Sequence, residues 1–290
     1  MVDRTLRFLL LAGAALAATP AAAQTVGVNS AVVNDVRMTT QANRTLHKAV
    51  VRERVSLGND IVTGKASRLQ VVLLDRTTFT VGANARIKVD RFVYDPNRQS
   101  SAVGLSVGRG AFRFMSGRPT HNAPGQSSIR TPVASIGIRG TIVDGVVGPD
   151  AVAIAKSQPG LPPFTADSET ASLILLRGPG ATAPGEVPGG IDVMAGGATV
   201  ALDEAGLAVF VPRPGAAPIG PFRLTPAGSA RLIDLLSSPA YSLPEDDIPG
   251  ARPPDTPVRQ LPPRGQGDPV APPGGAAGDP AIGQPQPPRI

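Results

Sequence analysis

Between Arg52 and Val89 the chain is cut into short alternating runs, with a turn every eight to ten residues. Val55 and Leu57 continue the parity of Val51, with Arg52 and Arg54 pointing outward. Arg68–Leu74 is apolar on both parities, with Leu69, Val71 and Leu73 against Val72 and Leu74. That pattern is expected of a strand covered on both faces. Asp75-Arg76 turns the chain, Thr77, Phe79 and Val81 resume one side, and Gly82–Ala85 turns it again before Ile87 and Val89. Strands this short point to a sandwich, barrel or solenoid, not to alternating strands and helices.

The parity logic is sharpest in Ser128–Val143. Ile129, Thr131 and Val133 are odd-numbered, whereas Ile136, Ile138 and Ile142 are even-numbered. The side-chain period of a strand is two, so the change predicts a bend or bulge between Val133 and Ile136. Pro132 agrees, because proline cannot donate to a central ladder. Two short strands joined by a corner are expected, with Arg139 and Thr141 opposite the isoleucines and glycines at 137 and 140.

Thr131-Pro132 leading into Ile138-Arg139-Gly140-Thr141 resembles the end of an FecR-type domain. Gly58–Thr63, Leu69–Asp75, Phe92–Pro96 and the glycine-framed Leu105–Phe114 resemble further parts of it, in the expected order. The resemblance covers residues 50–145. It implies a compact all-β domain of short stacked strands, read here as a short-strand β-roll or solenoid-like stack, with a β-sandwich as the alternative. In regulatory relatives such a domain sits in the periplasm and relays a signal from an outer-membrane transporter to a membrane-spanning anti-sigma segment. Family members often carry Asp-Gly where this chain has Asp75-Arg76, and a left-handed turn position suits glycine far better than arginine.

The flanking regions read differently. Residues 1–23 form an expected signal peptide, with Arg4 and Arg7 ahead of the apolar run Phe8–Ala18 and cleavage between Ala23 and Gln24. That run is too short to span a bilayer, and no later run is long enough, so a mature chain without a transmembrane span is expected, periplasmic or secreted. Residues 24–145 are expected to form the β domain that resembles the FecR type. Residues 146–212 hold further β segments (Ala171–Arg177, Ile191–Met194, Ala198–Leu202, Leu207–Val211), either an extension of the first sheet or a small subdomain. Residues 213–243 are a linker and one helix near Pro226–Ser237, with Thr225 as its N-cap and Leu232, Ile233, Leu235 and Leu236 as its apolar stripe. This helix is expected to lie as a lid on the end or flank of the β core. Residues 244–290, with 14 prolines, form an expected disordered tail.

Charge separates along the chain. Residues 24–143 hold 17 Lys and Arg against 6 Asp and Glu, and residues 144–290 hold 9 against 15. This is either an arginine-rich solvated face with an acidic tail, or a basic surface for an anionic envelope glycan or the chain's own acidic half.

Few residues suggest chemistry. The chain has no cysteine and only His47 and His121, so no zinc spacing is present and neither cofactor nor metal is expected. Each histidine is read as a solvated loop residue. Gly104–Gly108 matches the Gly-x-Ser-x-Gly pattern around Ser106, but strand alternation continues through it where the chemistry needs a helix. The arginines are not interleaved with aromatics, which argues against nucleic acid. Arg139, Gly140 and Thr141 are the candidate site. Arg139 is either a recognition fork for a carboxylate or carbonyl, or a tie between two turns through backbone carbonyls.

The expected function is a non-enzymatic, exported binding or scaffolding module of the bacterial envelope, linked to signal sensing, with an envelope protein or anionic glycan as partner. The alternatives are a self-assembling surface protein and a serine hydrolase using Ser106.

Overall fold

The computed structural model describes residues 24–40, 44–98, 100–117, 126–178 and 189–237. Ala23, His121 and the tail 244–290 lie outside them. Among the described residues, seventeen strands form two open sheets that share one long strand. The first sheet runs in the order β4 (Arg54–Ser56), β1 (Thr25–Val33), β6 (Arg68–Leu73), β7 (Thr78–Val81), β9 (Ser100–Met115), β12 (Ile142–Val147), β13 (Ser172–Leu176), β16 (Leu207–Val211) and β17 (Ile219–Arg223). The second runs β3 (His47–Lys48), β2 (Val36–Met38), β5 (Asp60–Thr63), β8 (Arg86–Asp95), β9, β10 (Ser127–Arg130), β11 (Ser135–Arg139), β14 (Gly190–Ala195) and β15 (Ala198–Leu202). Among the described residues every strand pairing is antiparallel except β9 with β10. The chain therefore rolls back and forth between two layers, and the strands after residue 146 continue the same two sheets.

The layers meet over a core of small aliphatic side chains and a few phenylalanines, including Val26, Ile61, Val71, Phe79, Ile87, Phe112, Phe114, Ile136 and Ile191. Strand β9 contributes to both sheets. Leu105 and Val107 face the core on one parity, and Phe112 and Phe114 on the other. The switch occurs at Gly110, with φ +79°, where pairing passes from β8 to β7 and β12.

A second apolar layer lies on the outer face of the first sheet. Two helices, α1 (Pro149–Lys156) and α2 (Pro226–Leu236), bury Ala151, Ile154, Leu232 and Leu236 against Val146, Leu173, Leu175 and Phe210. Helix α2 is the expected one, and Thr225 Oγ1 accepts from the Gly228 amide at 3.2 Å as its N-cap. It packs over β9 and β12, and Leu235 O accepts from the Ala83 amide. Helix α1 is absent from the sequence expectations, although Pro149 at its first turn and Ala151, Ile154 and Ala155 at helical spacing carry its signals. Strand β17 is likewise additional.

The structure corrects four local expectations. The strands covered on both faces include β13, buried throughout, whereas β6 is covered on one face and Leu74 beyond it is 56% exposed. Sheet position decides this, because the helices lie over β12 and β13 and not over β6. Val51 lies in the turn before β4 and is exposed, next to Arg52 with φ +67°. The corner after Val133 is a full reversal: β10 and β11 form a hairpin in which the Thr131 amide donates to Ala134 O at 2.9 Å. The Ala134 amide in turn donates to Thr131 Oγ1 at 3.1 Å. Ile136 and Ile138 share the core, but Ile142 is only half-buried, because Gly140 (φ +53°) carries the chain into the other sheet and Val143 takes the inward position.

The Asp75-Arg76 turn is built with arginine in the left-handed position, φ +67°. Asp75 is buried and accepts from the Thr77 amide and Thr77 Oγ1, both at 2.9 Å, and from Ser101 Oγ. Those bonds hold a backbone conformation that arginine itself disfavours. Arg76→Gly is expected to raise stability by about 0.5–1 kcal/mol, the left-handed penalty less the extra chain entropy of glycine. The urea midpoint measures this, and an unchanged or lower midpoint contradicts it.

Candidate functional site

The sequence-predicted residues are dispersed. Arg139, at the end of β11, reaches across Gly190 on β14 to an ion pair with Asp192. Its partner is a carboxylate on the neighbouring strand, where the turn-tying alternative required backbone carbonyls. Gly140 makes the left-handed turn between the sheets, and Thr141 is buried beside Ser116, whose hydroxyl accepts from the Thr141 amide at 3.2 Å. Gln24 is exposed, with its carbonyl accepting from the Leu57 amide.

Ser106 lies in mid-strand on β9 and donates to Asp90. Strand continues to Met115, so the elbow geometry that activates a serine nucleophile is not formed here. His47 is on β3, where its Nε2 lies 2.5 Å from Glu53 Oε1, so it is a paired strand residue and not a solvated loop residue. Among the described residues no group of three or more His, Asp or Glu side chains is placed to hold a metal.

One buried ionic group has no local signal in the sequence. Asp144 on β12 is 0% exposed and receives both arms of Arg113, Nε at 2.6 Å and Nη2 at 2.8 Å, with Arg177 Nη1 at 3.4 Å. The hydrogen bonds that Arg113 donates to Asp144 hold its guanidinium above its ordinary pKa, against the opposing effect of burial. A raised arginine pKa keeps its stabilisation everywhere below the ordinary guanidinium range, so no loss is expected on the alkaline side at working pH. With its acceptors occupied, this cluster ties β9 to β12 and to the chain after β13.

The surface that stands out is the outer face of the second sheet, from β3 to β9. Following the register across it, Lys48 lies opposite Arg37, Arg37 opposite Val62, Val62 opposite Arg86, and Arg86 opposite Arg109. One rung thus holds four exposed cations among five positions. Lys88 and Arg130 follow on the next rung, in register with Asp60, Ser106 and Ser135. Arg37 has an exposed partner in Asp35 at 3.1 Å, whereas Lys48, Arg86 and Arg109 have no ion pair among the described residues.

Two grooves flank this surface. One, of about 390 Å³, is lined by Leu46, Val62, Thr63, Asn84, Arg86 and Arg109, among others. The other, of about 310 Å³, is lined by Thr39, Arg44, Leu57, Gly58, Lys88 and Asp90, among others. The charge surplus was visible in the sequence, but the alignment of these four residues was not. It depends on a strand order that brings residues 37, 48, 62, 86 and 109 side by side.

No curated protein sequence matches the chain. Two crystal structures of a candidate anti-sigma factor from Parabacteroides distasonis are similar to it at 12% identity and a TM-score of 0.35. The similarity covers 57% of this chain and 60% of theirs, less than two thirds of their length. The family described as FecR protein matches residues 59–155, from just before β5 into α1. The chain therefore carries an FecR-type domain, built into a longer two-sheet roll.

Proposed function

We propose that this chain is a non-enzymatic binding module of the bacterial cell envelope, and that its contact surface is the basic outer face between β3 and β9. The family match supports a role in envelope signal sensing, and no described helix is long and apolar enough to cross a membrane. The observation that carries the binding reading is the like-charge pairing within one rung. Lys48 lies opposite Arg37, and Arg86 opposite Arg109 beside a bulge in β9. Such cross-strand pairs repel and lower sheet stability. A face that keeps two of them in line is poorly suited to stability and well suited to an anionic partner.

The reading is tested by capture from envelope extract on the immobilised mature chain. Arg86→Glu is expected to release the captured material, and Arg54→Glu, exposed on β4 in the other sheet, is expected to leave it bound. Equal capture by both variants overturns the assignment of the face. Turnover of an ester or glycan substrate that Ser106→Ala abolishes overturns the non-enzymatic reading.

A further inference from the structure

The same surface constrains its ligand more narrowly, and the following inference rests on the binding reading above. Neighbouring strands lie about 4.8 Å apart, so five strands set the first and last cation of a rung about 19 Å apart. Lys48, Arg37, Arg86 and Arg109 occupy the two outer positions at each end of that row, and Val62 fills the middle. A compact dianion would reach two neighbouring cations at most. A ligand that uses the whole row carries its charges in line, at a repeat close to the strand spacing.

Three further features narrow its chemistry. Three of the four cations are arginines, whose planar forks fit carboxylates in pairs of hydrogen bonds. The groove beside the rung is partly apolar, with Leu46 and Val62 in its lining, and so offers contact to the face of a sugar ring. Aromatics make up 3% of the chain, with no Trp, and none lines either groove, so the stacking platform of a single-stranded nucleic acid is missing. Asp60 and Asp90 lie on the Lys88 side of the face. Their carboxylates repel a polyanion on that side, as Asp35 does beside Arg37, and this favours the rung from Lys48 to Arg109 between them.

We propose that the rung Lys48–Arg37–Val62–Arg86–Arg109 is a track for a linear polyuronate, an anionic polysaccharide with one carboxylate per sugar, laid across the strands and not along them.

The test uses the full mature chain titrated with sodium polygalacturonate at low and high salt. Galacturonate monomer at equal carboxylate concentration serves as competitor. Polymer binding that weakens with salt is expected, with no competition from the monomer. The double variant R86E/R109E is expected to bind at least about tenfold more weakly, because two of four aligned cations then repel the ligand. R86Q/R109Q, a milder change at the same exposed positions, is expected to weaken binding in the same direction, and melting curves check that both variants fold. R54E/R213E carries the same net charge change away from this face and is expected to bind as the unaltered chain does.

Equal competition by the monomer, or an equal loss in R54E/R213E, overturns the track. Absence of polymer binding also overturns it. If envelope capture still depends on Arg86 in that case, the binding reading stands and only the ligand class is wrong. If capture is lost too, both fall.

Discussion

Gly110→Ala is expected to destabilise the protein by about 3 kcal/mol or more, as read by the midpoint of urea unfolding. Two independent costs combine. Gly110 sits at φ +79°, where an L side chain costs about 1–2 kcal/mol. An added Cβ would also lie 2.3 Å from Ala85 Cα and 2.6 Å from Ala85 N. Those are backbone atoms that cannot swing aside as a flexible side chain can, and overpacking of this kind costs typically 1–3 kcal/mol. Position 110 is also where β9 leaves one sheet for the other, so relief by local movement would shift Phe112 and Phe114 in the core.

Gly108 supplies the control two residues away on the same strand. A Cβ there would meet only Arg86 O, at 3.8 Å, and its φ is not in the left-handed region. Gly108→Ala is therefore expected to be neutral or slightly stabilising. Equal tolerance of both substitutions would mean that β9 does not bend at Gly110 in the way described.

The bend at Gly110 illustrates what the sequence discloses and what it conceals. Parity is legible: Leu105 and Val107 against Phe112 and Phe114 repeat the signal that marks the hairpin between Ile129 and Ile136. Local alternation gives strand after strand because burial on one face imposes it. Thr225-Pro226 and its leucine stripe likewise disclose α2, since capping and amphipathicity are local. β6 and Ile142 depart from their local pattern for another reason. How many faces of a strand are covered depends on which sheet it joins and on where the helices dock, and neither follows from the strand's own residues.

The candidate surface shows the same division. Its arginines and lysines are evident in the count, yet a rung forms only when β3, β2, β5, β8 and β9 pair in that order. Arg139 was singled out from its glycine neighbours, while its carboxylate partner lies 53 residues away, beyond any local pattern. The ion pair of Asp144 was hidden for a related reason. The residue sits in an apolar strand, and its partners Arg113 and Arg177 are 31 and 33 residues distant.

That buried carboxylate carries the second large expected effect. Asp144→Ala is expected to cost about 3–5 kcal/mol, the range for removing one partner of a buried ion pair. The loss comes less from the attraction itself than from what remains. Arg113 is only 28% exposed, and without Asp144 its guanidinium keeps its charge but loses both hydrogen-bond acceptors. The double variant Asp144→Leu with Arg113→Met therefore separates the two contributions. If the cost lies in the stranded charge, the double variant is expected to be more stable than Asp144→Ala alone, because apolar residues of similar volume replace buried ion pairs with little loss. Position 144 favours that outcome, since Leu175 lies opposite it on β13 and Val146 and Leu173 of the helix-covered layer are close by on the same face. Should the double variant unfold as readily as the single one, the cluster would instead act by holding β9 against β12 through geometry that apolar packing cannot reproduce.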